Sequence, residues 1–360
     1  MSVKLDLLSF AHVPAWQADG LIEDYDHCKL GEVEAVSSAV LSLTGHPSRT
    51  FPGLRAILEL NERSSVTRPI MYAITGITGK VGGELARTLL AARQIVRAIV
   101  RDARKGEEWA ALGCEVAVAE MEDPFALTAA FAGATAVFIL PPPEFDPEPG
   151  YPEAQAVINS IVKALTAAKP TRVLCLSTIG ADAVQDNLLS QRTMLEAALR
   201  ELRMPLTILR PAWFLDNAAW DVLSARTTGL IHSFLQPTDK AFPMVAAKDV
   251  GRVAADLIQQ DWSGIRVVEL EGPNQVSPDD LANAFAQVIG KRVRAVPVPR
   301  ESWDQLFRSQ GMKHPEPRMR MLDGFNEGWI EFQDGGRKAI KGHTTAGAVI
   351  ADLVATARDG

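Results

Sequence analysis

"MYAITGITGKVGGELARTLL", Met71 to Leu90, is the stretch on which the reading of this chain turns. "MYAIT" is short and apolar and reads as a strand, while "KVGGELARTLLAAR" reads as an amphipathic helix. Between and into them, Gly76, Gly79 and Gly82 make the spacing G-x-x-G-x-x-G. The first glycine permits a tight turn after the strand. The second lets the backbone approach a pyrophosphate, and the third lets the helix pack closely. A helix starting near Thr78 would also turn free N–H groups and the positive end of its dipole toward an anion. That makes Thr78, Gly79, Lys80 and Val81 candidate contacts to dinucleotide phosphates. A glycine triplet by itself can be a structural turn only. This one opens an alternating series, which favours dinucleotide binding.

The series runs on for well over a hundred residues. "IVRAIV", "EVAVAE", "TAVFIL", "RVLCLST" and "PLTILR" read as strands. "KGEEWAALG", "PFALTAAFAG", "PEAQAVINSIVKALTAAK" and "SQRTMLEAALREL" read as the helices between them. Strands that are apolar along their length are buried on both faces, as in a parallel sheet. Alternation with right-handed crossovers gives an α/β, doubly wound Rossmann-type domain over 71–210. After Arg210 the rhythm loosens, and 211–345 read as a small lobe, partly interleaved with the sheet, that closes over the cofactor cleft. In it, "PAWFLDNAAWD" and "FPMVAAKDVGRVAADLIQQ" suggest segments over the sheet's carboxyl edge, and "RVVELEG" a further strand. "SPDDLANAFAQVIG" carries a Ser-Pro cap signal and reads as a helix. "RMRMLDGFNEGWIEFQDGG" reads as aromatic and loop-rich, and 346–360 as a tail.

Composition narrows the class. The chain has 360 residues, 47% hydrophobic and 22% charged, so it should bury a sizeable core. Its formal charge of −7, with Lys and Arg scattered, argues against a nucleic-acid partner. No apolar run approaches the ~20 residues of a membrane helix. Asp6 interrupts the amino terminus too early for a secretory signal. Cys28, Cys114 and Cys175 lack metal-binding spacing, and the last two fall on strand-like runs where buried thiols are expected. No metal is expected, and a reducing cytoplasm fits.

Cofactor choice depends on the end of the second strand. A carboxylate ~20 residues past the glycines would hold the ribose hydroxyls of NAD. "IVRAIVRDARKG" places Arg101 first beyond the apolar run and Asp102 second. Asp102 also suits the N-cap of the next helix. Arg101, with Arg104 or Lys105 nearby, suits the 2′-phosphate of NADP, a solvated basic edge being the alternative. The expectation is NADP, with NADPH preferred over NADH.

"TGITGKVG", "VRAIVRDARKG", "AEMEDPFALTAAFAGA", "FILPPP", "RVLCLSTIGAD" and "TILRPAWFLDN", in this order, resemble the NmrA-like group of atypical short-chain dehydrogenase/reductases. The resemblance runs from Met71 to about Arg337. It implies a Rossmann domain with a small substrate lobe. It also implies either NAD(P)H-dependent reduction of quinones, azo dyes or triphenylmethane dyes, or a catalytically silent sensor of the nicotinamide pool. By position, Glu120 and Met121 would border the adenine, and Leu140, Pro141 and Pro142 the ribose and nicotinamide. Ser177 and Thr178 would approach the nicotinamide, and Pro211, Trp213 and Phe214 would flank it. Trp213, Phe214 and Pro143 would wall the substrate pocket, ordinary lobe packing being the alternative for the two aromatics.

One departure bears on chemistry. The wider superfamily carries Tyr-x-x-x-Lys on the helix after the fifth strand, with the tyrosine as general acid. Here that helix, "LLSQRTMLEAAL", has no tyrosine. Arg192 stands in the lysine's place, able to anchor a ribose or polarise a carbonyl, unless it is a surface arginine. Arg192 and Ser177 are thus the candidate catalytic residues. Tyr25 and Lys29 have the spacing but precede the first strand and cannot be the pair. Reduction of a quinone does not strictly need a protein acid, because the product can take its proton from water. The expected activity is hydride transfer from NAD(P)H to a small conjugated electron acceptor. The alternative is a non-catalytic NADP(H) sensor that acts through a protein partner. An epimerase or dehydratase acting on nucleotide sugars is weakened by the missing tyrosine.

Residues 1–70 raise a separate question. Trp16 to Phe51 resembles the carboxyl-terminal segment of another NmrA-like protein, placed before a complete one. A fusion remnant, an upstream reading frame joined to the gene, and a working accessory segment all fit. The segment lacks a core of its own, so loose packing or partial disorder is expected, with Met71 a plausible start.

Overall fold

The computed structural model describes residues 70–357. The expectations for the amino-terminal extension, Cys28 and the Tyr25–Lys29 pair lie outside the described residues. β1 (Met71–Ile74) leads through the glycine turn into α1 (Lys80–Ala91). There follow β2 (Ile95–Val100), α2 (Ala103–Ala111), β3 (Glu115–Val118), α3 (Pro124–Phe131), β4 (Ala136–Ile139) and α4 (Pro152–Ala168). β5 (Arg172–Leu176), α5 (Ser190–Arg200) and β6 (Leu206–Pro211) complete the regular alternation. Beyond it come β7 (Trp213–Phe214), a 3-10 helix (Leu215–Asp221), α6 (Val222–Thr227), β8 (Leu230–Ser233), β9 (Met244–Val245) and α7 (Ala247–Gln259). The chain continues with β10 (Ile265–Glu271), α8 (Pro278–Ile289), β11 (Arg294–Pro297), α9 (Trp303–Ser309), α10 (Glu316–Glu327), β12 (Ile340–Lys341) and α11 (Ala346–Thr356).

Eight strands form one sheet in the order β12-β10-β6-β5-β4-β1-β2-β3, every neighbouring pair parallel. The strand order reverses between β1 and β4, the point at which a doubly wound sheet opens a crevice beyond its carboxyl ends. The reason for the parallel sheet is visible in the side chains. β4, β5 and β6 are buried at every position. Along β4, Phe138 joins the core on one face and Val137 and Ile139 the core on the other. β3 differs from its expected burial on both faces: Val116 is 39% exposed and Val118 53%, β3 being the end strand of the sheet among the described residues.

Local signals held where side-chain chemistry is short-range. Asp102 accepts from the Arg104 N–H at 3.0 Å and caps α2. Ser277 and Asp280 cap α8 reciprocally. Cys114 and Cys175 are both buried, free thiols. Three segments differ from expectation. "AAKDVGRVAADLIQQ" forms α7, which lies on the sheet face beside α1 instead of over the carboxyl edge. A Cβ at Gly251 would stand 2.6 Å from Glu84 Cβ and 2.8 Å from the Val81 oxygen, so only glycine allows this approach. "RMRMLDGFNE" is helical, not loop-like: it makes most of α10, which buries Met319, Met321, Leu322 and Phe325 and stops at Gly328 with φ 90°. Residues 346–356 also form a helix, α11, with Val349, Ile350 and Val354 buried. Among the described residues no helix is long and apolar enough to cross a membrane.

Candidate functional site

The glycine turn is built as its spacing implies. Gly76 has φ 64°, and a Cβ there would press on the Leu140 side chain at 3.0 Å. A Cβ at Gly82 would come within 2.4 Å of the Gly76 oxygen, so the third glycine lets α1 close against the turn itself. Gly79 is different. Its Cβ would meet only the Gly76 oxygen, at 3.3 Å, so the missing side chain leaves open space on the cavity side. Gly79 is also the N-cap of α1 and offers no side chain to it. The first N–H groups of that helix are therefore available to an anion.

A cavity of about 1160 Å³ opens here at the carboxyl ends of the strands. Its wall includes Gly76, Thr78, Gly79, Lys80 and Val81 from the turn, Arg101 after β2, and Met121 after β3. Leu140, Pro141, Pro142 and Pro143 follow β4, and Ser177 and Thr178 follow β5. Arg192, Pro211, Trp213 and Phe214 complete the set. Two expected residues are not in the wall. Gly82 serves packing, and Glu120 is exposed while its neighbours Ala119 and Met121 are buried, as alternation at a strand end requires. Glu122 is the acid that reaches the cavity instead. Thr75, which the sequence did not single out, pins the switch point. Its hydroxyl donates to the Phe138 oxygen at 3.0 Å and accepts from the Leu140 N–H at 2.8 Å.

The basic groups differ in what they have left to offer. Lys80 pairs with Asp216 at 2.8 Å, and the second Asp216 oxygen accepts from the Ala247 N–H. A smaller recess beside the turn is lined by Thr78, Gly79, Lys80, Arg87, Arg104 and Lys105, with Glu108 its acid. Arg192 is half-buried, donates to the Pro141 oxygen at 3.3 Å, and forms no ion pair among the described residues. Burial holds its pKa below the usual arginine value. Ser177 reaches the wall, but its hydroxyl donates to Glu196 at 2.5 Å. Glu196 in turn accepts from Nε and Nη2 of Arg210, at 2.9 and 2.7 Å, in a network buried behind the cavity.

A family model described as the NmrA-like family matches residues 71–328, well over half of the chain. The chain belongs to the NmrA-like family. Among curated relatives it is similar to an NAD(P)H azoreductase of Xenophilus azovorans, 27% identical over 263 residues, covering 71% of this chain and 85% of that one. It is also similar to quinone oxidoreductase 2 of Escherichia coli strain K12, 27% identical over 247 residues, covering 67% and 82%. Among solved structures it shares the fold of an NADPH-dependent quinone oxidoreductase from Escherichia coli complexed with NADPH. That match has a TM-score of 0.66 at 22% identity and covers 79% of this chain and 99% of that one.

Within this NmrA-like site, no tyrosine among the described residues stands in for the acid expected of the wider superfamily. Tyr72 is buried in β1, and Tyr151 donates to Asp186 and to the Asn187 oxygen, both at 2.9 Å. Neither lines the cavity. The residues that sequence reasoning missed come from the later elements. Arg318, Met321, Leu322 and Phe325 form one stripe of α10 along the wall, and Phe234 and Asp221 join them. Asp221 makes no side-chain hydrogen bond at its helix start, and burial pushes its carboxyl up to about 6.

That displacement has a consequence for stability. The folded state keeps the Asp221 proton up to about pH 6, whereas an unfolded aspartate releases it near 3.8. The native protein therefore binds more protons between these values, and its stability falls as pH rises through them. The effect is at most about 3 kcal/mol, and about 1–2 kcal/mol once cavity water screens the group. Asp221→Asn is expected to raise the unfolding free energy at pH 7.5 by that amount and to change little below pH 4. Equal effects at both pH values in urea denaturation would exclude a raised carboxyl.

Proposed function

We propose that this NmrA-like protein is an NADPH-dependent oxidoreductase that reduces a small, flat, conjugated acceptor such as a quinone. The observation that carries the reading is the continuity of one cavity. It runs from an open glycine turn with free helix N–H groups to an apolar wall of Trp213, Phe214 and Phe325. The names of the two curated relatives, an azoreductase and a quinone oxidoreductase, support the same class of acceptor.

When bound, the reduced nicotinamide would supply a hydride. The chain's own residues hold and align. The N–H groups at Lys80 and Val81 receive the pyrophosphate, for which the absent Gly79 side chain leaves room, while the Gly79 N–H donates to the Gly76 oxygen at 3.0 Å within the turn. Arg101, with Arg104 and Lys105 in the adjoining recess, receives the 2′-phosphate. Arg192 anchors the ribose from its post beside the Pro141 oxygen. The Pro141–Pro143 run and Trp213 exclude water and hold the acceptor flat. Ser177 acts behind the site by holding Glu196. The reduced acceptor takes its proton from water, and with no tyrosine among the described residues of the wall the site suits conjugated acceptors better than ketones. A reducing cytoplasm, which keeps Cys114 and Cys175 as thiols, is the setting of this reading.

Turnover of NADPH against a panel of quinones, dyes and aldehydes tests it. Oxidation with a quinone is expected. Tight NADPH binding without oxidation by any acceptor would leave a redox sensor in its place. Cofactor choice has its own test. Arg101→Ala is expected to weaken NADPH binding about 10- to 150-fold and to leave NADH binding nearly unchanged, from the loss of a charge-assisted hydrogen bond of about 1.5–3 kcal/mol. An equal loss for both cofactors would exclude the 2′-phosphate role.

A further inference from the structure

The cavity wall holds a second cation that the reading above does not use. Arg318 lies in the first turn of α10 and lines the cavity. Its guanidinium carbon stands 4.5 Å from the Phe307 ring centroid and 5.8 Å from that of Trp220. Nη1 reaches the Met312 sulfur at 3.7 Å. Rings and a thioether orient a guanidinium, but they carry no charge to balance it.

The contrast with its neighbours is informative. Arg300 pairs with Asp323 at 2.6 Å, and Arg308 pairs with Asp304 at 3.0 Å. Arg318 forms no ion pair with any described carboxylate. Of the acids in the same wall, Asp216 is taken by Lys80, and Glu122, Glu144 and Asp221 do not reach it. Partial burial lowers its pKa, as expected of a cation drawn partly out of water without a counter-ion. A cation kept in this condition is costly, and an anionic ligand is the partner that would relieve it. The surroundings indicate the rest of that ligand. Phe234 and Phe325 offer apolar faces deeper in the wall, while Trp220, 72% exposed, marks the solvent side.

We propose that Arg318 is the anion-binding residue of the acceptor pocket, and that the acceptor is a flat conjugated ring system bearing a carboxylate, sulfonate or phosphate. The ring lies along the aromatic wall and the anionic group sits on the guanidinium at the mouth. The identity of this ligand as an electron acceptor rests on the reductase reading; its binding does not.

The experiment compares a naphthoquinone with the same naphthoquinone carrying one ring sulfonate. Binding is measured calorimetrically on full-length protein saturated with NADP, and turnover separately with NADPH. The wild type should bind the sulfonate more tightly, and rising salt should shrink that preference. Arg318→Met should reduce the preference about 10-fold or more, and Arg318→Lys should retain most of it. The proposal is overturned if the wild type shows no preference for the sulfonate, or if Arg318→Met keeps it undiminished. Should the methionine variant fail to fold, the salt dependence of the wild type and the lysine variant decide the matter. Sulfonate binding through Arg318 without oxidation of NADPH by either quinone would sustain the anion site and remove the reductase reading.

Discussion

Glu196→Ala is expected to lower the unfolding free energy by about 3–5 kcal/mol, the loss that follows when one member of a buried ion pair is removed. Glu196 and Arg210 are 5% and 4% exposed at their side chains. Their two parallel hydrogen bonds tie α5 to the end of β6. Ser177 adds a third bond to the same carboxylate, and Asp182 meets the remaining arm of Arg210 at 2.8 Å from a more open position. Removing Glu196 would leave the guanidinium inside the protein with Asp182 as its one remaining acid, and would strand the Ser177 hydroxyl. Urea denaturation should show a lower midpoint with an unchanged slope. Arg210→Met in the same chain should recover much of the loss, because it removes the stranded charge. A double variant as unstable as the single one would mean that side-chain packing, not charge, explains the effect. The pair also bears on function through position. Arg192 lies one turn before Glu196 on α5, and Trp213 follows the end of β6 by two residues. Glu196 thus fixes two walls of the cavity without touching a ligand.

This network illustrates which parts of the site the sequence could express. The glycine turn, the caps at Asp102 and Ser277 and the strand–helix rhythm are local: each depends on residues a few positions apart, and each was legible. Arg210 and Glu196 were not, because a strand and a helix bring them together only after β5 and β6 pair in parallel. Lys80 and Asp216 meet across 136 positions and carry no shared pattern at all. α10 was hidden for another reason. "RMRM" alternates polar and apolar residues with a period of two, which masks a helical stripe that begins at Arg318 and continues through Met321, Leu322 and Phe325. The proline before α10 and Gly328 after it were the available signals, and the aromatic residues nearby drew the reading toward a loop. Glu120 lies between Ala119 and Met121, which both line the cavity: the sequence locates the end of β3 but not which side chains after it face the cavity.

Trp213→Arg should abolish quinone reduction and leave NADPH affinity within a few fold. Trp213 belongs to β7, whose pairing with β9 holds its backbone beside the end of β6. Its ring meets Phe325 edge to face, at 5.2 Å and 89°. That contact joins the strand side of the cavity to α10, and the two rings make a rigid apolar corner. Arginine there would remove the corner and place a charge where the acceptor's apolar ring face must lie. Reaction requires the acceptor within about 3–3.5 Å of the transferred hydrogen's donor, and a misplacement of ~1 Å can cost about 100-fold. The groups proposed to hold the phosphates, at Lys80, Val81 and Arg101, belong to the glycine turn and the end of β2, whereas Trp213 belongs to β7, so cofactor binding should persist. Trp213→Phe, which keeps an aromatic face, should retain a measurable rate. NADPH fluorescence titration and absorbance-followed oxidation read the two properties separately. Retained turnover in Trp213→Arg would place the acceptor elsewhere in the cavity. Loss of cofactor affinity together with turnover would mean that the ring supports the nicotinamide itself, and the division of the cavity into a cofactor end and an acceptor end would have to move past Trp213 toward α10.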